Sequence, residues 1–142
     1  MSASTLAGAL STVTMADAEM LAVQVLASGG FTYSTATGYA PTDGYAVSVP
    51  NLESATTLAL GTDYLAREIH RYAARHADTL AMDGLYLGAW HDSETSTVYL
   101  DHTMVTPSMA DAERRAVQYQ QAAYFDLATG AEHYVHADGA RR

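Results

Sequence analysis

The chain of 142 residues contains no cysteine. That absence excludes a disulfide framework, a thiolate metal site and a cysteine nucleophile, and it fits a reducing compartment. Lysine is missing too. All seven basic residues are arginine, against sixteen aspartates and glutamates, for a net charge of -9. Neutralising nucleic-acid phosphates needs a basic surface, so no direct nucleic-acid binding is expected. Dense carboxylate rows are also lacking: the first forty residues carry only Asp17 and Glu19. This disfavours an acidic inhibitor that imitates nucleic acid, the third reading in order of preference.

No stretch reaches the roughly 18 apolar residues of a membrane span. The most apolar helix-like run, Met20 to Ala27, is interrupted by Gln24, and Met1 to Leu6 has no basic region of the kind that opens a signal peptide. The expectation is a cytoplasmic protein without a membrane partner. There is no G-x-S-x-G elbow, P-loop or G-x-G-x-x-G fingerprint, so no catalytic residue and no cofactor is assigned. The length suits one domain, 1–142, with 1–13 and 138–142 as loose tails. A hydrophobic fraction of 49% can furnish a core.

What is present reads as α+β. Thr14 can cap a helix whose first turn holds Asp17 and Glu19 and which Gly29-Gly30 ends. Gly30 to Ser34 and Tyr45 to Val49 read as strands, the second stopped by Pro50. Residues 51–60 are ambiguous. Asp63 to Ala77 is the clearest helix, with Leu65, Ile69, Tyr72 and His76 as its inner stripe and Arg67, Arg71 and Arg75 as an outer ridge. Leu85 to Trp90 and Thr97 to Asp101 form a hairpin around the polar turn His91 to Ser96. Ser108 with Asp111 opens a third helix, about Met109 to Tyr119. Ala122 to Leu127 and Glu132 to Val135 return as strands. The expected architecture is a mainly antiparallel sheet of four to six strands with two or three helices packed mostly on one face.

Strand alternation then sorts side chains by face. Leu87, Leu100 and Phe125 are assigned to an aliphatic face that meets Ile69, and Tyr86, Trp90, Tyr99 and Tyr124 to the opposite face. Aromatic rings with polar tips suit interfaces and ligand platforms. Such a face is covered by the chain's own residues or by another chain, and the shortage of spare apolar structure favours another chain. The candidates are a protein partner or a second copy, with a symmetric homodimer as the default form of self-association.

The remaining cluster is His91, Asp92, Glu94, Asp101 and His102. On the expected hairpin, His91 and His102 stand five positions apart, about 16 Å at 3.3 Å per residue. Ligands lie about 2 Å from a zinc ion, so the two cannot share its first shell, and no metal is assigned.

Several stretches together carry a family likeness: Gly29-Gly30-Phe31-Thr32-Tyr33, Gly44-Tyr45-Ala46-Val47-Ser48, Tyr86-Leu87-Gly88-Ala89-Trp90, Val98-Tyr99-Leu100-Asp101 and Phe125-Asp126-Leu127. They resemble an uncharacterised group of small actinobacterial and actinobacteriophage proteins over most of the chain after residue 28. The resemblance implies a phage or mobile-element context and no activity. The reading is a small acidic protein-binding module, leaning away from an enzyme. The alternative is a small enzyme using the histidine and acid residues around 91–102.

Overall fold

A computed structural model describes residues 13–135. The expected tails fall outside this range except for Val13, which packs against the core. Helix α1, Met15–Ser28, begins with the capping box: Thr14 Oγ1 accepts from the Asp17 amide at 3.0 Å while the Asp17 carboxylate accepts from the Thr14 amide. It ends at Gly29, whose φ of 91° is left-handed and open to glycine without strain. Helix α2, Thr62–Arg75, buries Leu65, Ala66, Ile69, Tyr72 and Ala73. On its outer side Glu68 and Arg71 form an ion pair at 3.1 Å. A one-turn helix α3, Ala77–Leu80, follows. Helix α4, Met109–Gln118, is capped by Ser108 Oγ, which accepts from the Asp111 amide.

The strands are β1 (Gly30–Tyr33), β2 (Tyr45–Ser48), β3 (Ser54–Thr57), β4 (Leu85–Asp92), β5 (Thr97–Thr106), β6 (Ala123–Asp126) and β7 (Glu132–Tyr134). All belong to one seven-stranded sheet in the order β1-β4-β5-β2-β6-β7, with β3 also paired to β5. Every pairing is antiparallel. The fold is therefore α+β as expected, with more strands than the four to six anticipated and, among the described residues, four helices. The extra strand is β3. Its sequence, Ser-Ala-Thr-Thr, lacks the large alternating side chains that mark a strand.

Strand β5 organises the sheet. One edge pairs continuously with β4, from Thr97 opposite Asp92 to Met104 opposite Leu85. The other edge is shared: Thr97 to Leu100 pair with β3, and Thr103 to Thr106 pair with β2. Between them residues 49–53 belong to neither strand: the Val49 amide still donates to the His102 carbonyl at 2.8 Å, and the chain then turns away beside Asp101. Asn51 takes a φ of 70° in this excursion, a conformation asparagine tolerates.

The continuous register settles the faces. Val98, Leu100, His102 and Met104 point to one side, with Leu87 and Ala89 beside them on β4. Leu87, Leu100 and Ile69 share one core cluster with α1, α2 and α3, as expected. Met104 and Val47 on the same side meet α4 through Ala112 and Ala116. All four helices thus cover one face. Phe125 is a correction: it pairs with Ala46 and lies on the other face, half-buried, while its neighbour Tyr124 takes the helix side with Val47.

This arrangement makes a paired prediction for chemical denaturation. Leu87→Ala, at a fully buried position, lowers stability by about 2–5 kcal/mol. Tyr86→Ala on the adjacent strand position costs less than half as much, because that ring is only partly covered. Equal losses would contradict the assignment of faces.

Candidate functional site

The open face carries the candidate site. Tyr86, Trp90 and Tyr99 lie on it together, as their alternation predicts. Trp90 and Tyr99 are paired across β4 and β5 and their rings stack, with centroids 5.7 Å apart and planes 24° from parallel. Trp90 remains 41% exposed. Tyr124 does not join them. It is buried on the helix side, edge-on to Tyr45 and stacked on His133. The reason is register: β6 joins the sheet beside β2, not beside the β4–β5 hairpin, so its parity could not be read by extending the hairpin.

A cavity of about 870 Å³ spans this face. Thr32 of β1 and Tyr134 of β7, from the two ends of the strand order, both line it. The sheet therefore curls, and its open face is concave. Trp90, Tyr99, Phe125, Asp101, Thr103 and Glu53 are among the lining residues, and the end of α1 at Ser28 and Gly29 contributes to the rim.

Asp101 lies in the depth of the concavity, 4% exposed. Its two oxygens each accept one hydroxyl: Ser48 Oγ donates to Oδ2 and Thr103 Oγ1 donates to Oδ1, both at 2.6 Å. Opposite Asp101 stands Gly88. A β-carbon there would collide with Thr103 Oγ1 and Asp101 Oδ1, so the missing side chain makes the room this triad occupies. Burial raises the Asp101 pKa to about 6, the two hydroxyl donors oppose that rise, and the charge of Glu53 adds to it. Burial also raises the Glu53 carboxyl above its ordinary range.

His102, the next residue, points through the sheet to the helix side and is fully buried. Its Nδ1 lies 2.8 Å from the Tyr72 hydroxyl and its Nε2 2.7 Å from Thr79 Oγ1. Burial and then the nearby His76 lower its pKa to about 4, so the ring is neutral and offers one donor and one acceptor. Tyr72 donates its proton to the Leu52 carbonyl at 2.7 Å. Thr79 Oγ1 likewise donates to the His76 carbonyl at 3.2 Å, and the neutral ring donates from one nitrogen and accepts at the other. The network ties α2, α3, β5 and the excursion 49–53 together. None of these partners is a carboxylate.

The other members of the expected histidine and acid cluster stay apart. Strand β4 runs to Asp92, so the turn is shorter than His91 to Ser96. His102 pairs with Leu87, four positions from His91, which is about 13 Å along the strand. Asp92 Oδ1 accepts from the Glu94 amide within the turn. Among the described residues His91 Nε2 is buried without a hydrogen-bond partner. Among the described residues no three His, Asp or Glu side chains converge as a metal would require, and no helix is long and apolar enough to cross a membrane.

Comparison with protein-family models, with curated proteins and with solved structures gives no significant match. The functional reading accordingly rests on the geometry of the chain itself.

Asp101 and His102 make opposed contributions to stability against pH. Asp101 has a folded pKa above its unfolded value, so between about 4 and 6 the native state holds more protons and stability falls as pH rises. His102 has a folded pKa below its unfolded value. Between about 6.5 and 4 the unfolded state holds more protons, and stability falls as pH drops. Each slope integrates to about 3 kcal/mol, at 1.36 kcal/mol per pKa unit. The two nearly cancel in the wild type. Asp101→Asn is expected to lose stability from pH 6 to pH 4 by an amount on that order, and His102→Gln to gain it over the same interval. Thermal melts across this range check both signs, and parallel pH profiles in the two variants would refute them.

Proposed function

We propose that the protein is a non-enzymatic protein-binding module whose contact surface is the concave open face of the sheet. The observation that carries this reading is the stacked Trp90–Tyr99 pair, with Trp90 exposed at the edge of a cavity to which, among the described helices, only the end of α1 contributes. Large flat aromatics lose little conformational freedom on association and are enriched among residues that anchor interfaces.

The enzyme alternative draws less support. Catalysis by the residues around 91–102 calls for a histidine oriented by a carboxylate within the cavity. His102 faces away from Asp101 and is held by Tyr72 and Thr79. The resemblance to actinobacterial and actinobacteriophage proteins adds a biological setting, an accessory factor of a phage or mobile element acting on a host protein in the cytoplasm. The two occupants this reading admits are a host partner and a second copy of the chain in a symmetric dimer.

Light scattering of the wild type and of Trp90→Ala, alone and with a captured partner, tests the surface. A dimer or a partner complex that Trp90→Ala weakens about tenfold or more, 1.4 kcal/mol, supports the reading. Association that is indifferent to Trp90→Ala overturns it.

A further inference from the structure

The concave face has a chemical asymmetry that names the group it is built to receive. Its aromatic wall includes Trp90, Tyr99 and Phe125, and its acidic components are Asp101 in the depth, Glu53 at the more exposed rim and Glu132 on β7, which accepts from the Tyr134 hydroxyl. Among the described residues no arginine lines it. Within the described residues the arginines sit on α2 and α4, both on the other side of the sheet, where Arg71 pairs with Glu68 and Arg114 and Arg115 pair with Asp111. No ion pair reaches Asp101 or Glu53 among those residues.

The two hydroxyls on Asp101 satisfy one acceptor position on each oxygen. A carboxylate offers about four such positions in all, and a hydroxyl carries no charge to neutralise it. A buried carboxylate is stabilised in its ionised form by a cation with hydrogen-bond donors. The neighbouring rings offer negative π faces, which attract a cation a few ångströms away and exclude water from it. Acidic depth and aromatic wall thus favour the same ligand chemistry.

Resting on the reading of the open face as a protein-binding surface, we propose that the cavity receives an arginine side chain of an extended basic segment of the partner, its guanidinium directed to Asp101 and Glu53 and its plane set against Trp90 and Tyr99. Guanidinium is preferred over ammonium because a planar, forked donor set can stack on the rings and meet a carboxylate at once.

Trp90 is the single tryptophan of the chain, so its fluorescence reports on this site alone. The probe is an N-acetylated tetra-arginine amide, with the matching tetra-citrulline peptide as a neutral control of the same shape. Titrations use the full chain and an Arg141→Ala/Arg142→Ala variant, which removes the chain's own terminal arginines as competitors. The expected result is a saturable change in Trp90 emission, about tenfold weaker with citrulline and about fivefold weaker in Asp101→Asn. Glu53→Gln, at an exposed position, carries the test should Asp101→Asn fail to fold, and is expected to weaken binding about threefold. Glu68→Gln, on the far side of the sheet, is expected to leave binding unchanged. Equal affinity for the arginine and citrulline peptides overturns the proposal, as does an equal loss in Glu68→Gln, which would reveal attraction to net charge alone. A partner complex that still depends on Trp90 despite such a result leaves the contact surface standing and removes only the guanidinium site. Arginine binding without any Trp90-dependent protein association does the reverse.

Discussion

The structure depends on an interruption along one edge of β5. Where β2 gives way to β3, the excursion 49–53 leaves the sheet beside Asp101 and His102. Strand geometry sends these neighbours to opposite faces. Each is a titratable group in a place that disfavours charge, and each is held by hydroxyls: Asp101 by Ser48 and Thr103, His102 by Tyr72 and Thr79. A buried polar group without partners costs more than its hydrogen bonds return when made, so these side chains constrain everything that supplies a partner. Through His102 the strand positions α2, α3 and the excursion. Through Asp101 it requires Ser48 on β2 and the bare backbone of Gly88 on β4.

The division of labour between the faces follows from that centre. The helix side holds the apolar cluster of Leu21, Val25, Leu65, Ile69, Leu87 and Leu100, and a second, smaller cluster under α4. With every described helix on this side, the curl of the sheet leaves a hollow on the other. Polar and aromatic side chains share that hollow, an environment too wet for a core and too apolar for an ordinary solvated strand face. The binding role proposed for it uses features the core does not need: an exposed indole, a recessed carboxylate and, among the described residues, no arginine paired with that carboxylate.

Much of this organisation was legible in the residues. The helix starts at Thr14 and Ser108 have side chains whose hydroxyls accept the free amides of a first turn. Ile69, Leu87 and Leu100 obey strong periods, and the common side of Tyr86, Trp90 and Tyr99 follows from a short hairpin in which one register fixes both strands. Tyr124 and Phe125 were misassigned because β6 enters the sheet by way of α4, and a one-residue difference in register reverses every side chain. Strand β3 was obscured by its small polar residues. The role of Asp101 and His102 was missed for a related reason. A polar pair after Tyr99-Leu100 reads as the end of a strand, yet Thr103 to Thr106 continues with β-branched residues at Thr103, Val105 and Thr106, and this was the signal that β5 runs on.

The proposed binding role requires the concave face to be open in the isolated chain and to become covered on association. Acrylamide quenching of Trp90 fluorescence addresses it directly, since one indole reports for the whole face. Efficient quenching is expected for the dilute monomer and marked protection in the associated state. Strong protection of Trp90 in a demonstrably monomeric sample would show that the chain covers this face itself, and would rule the binding role out.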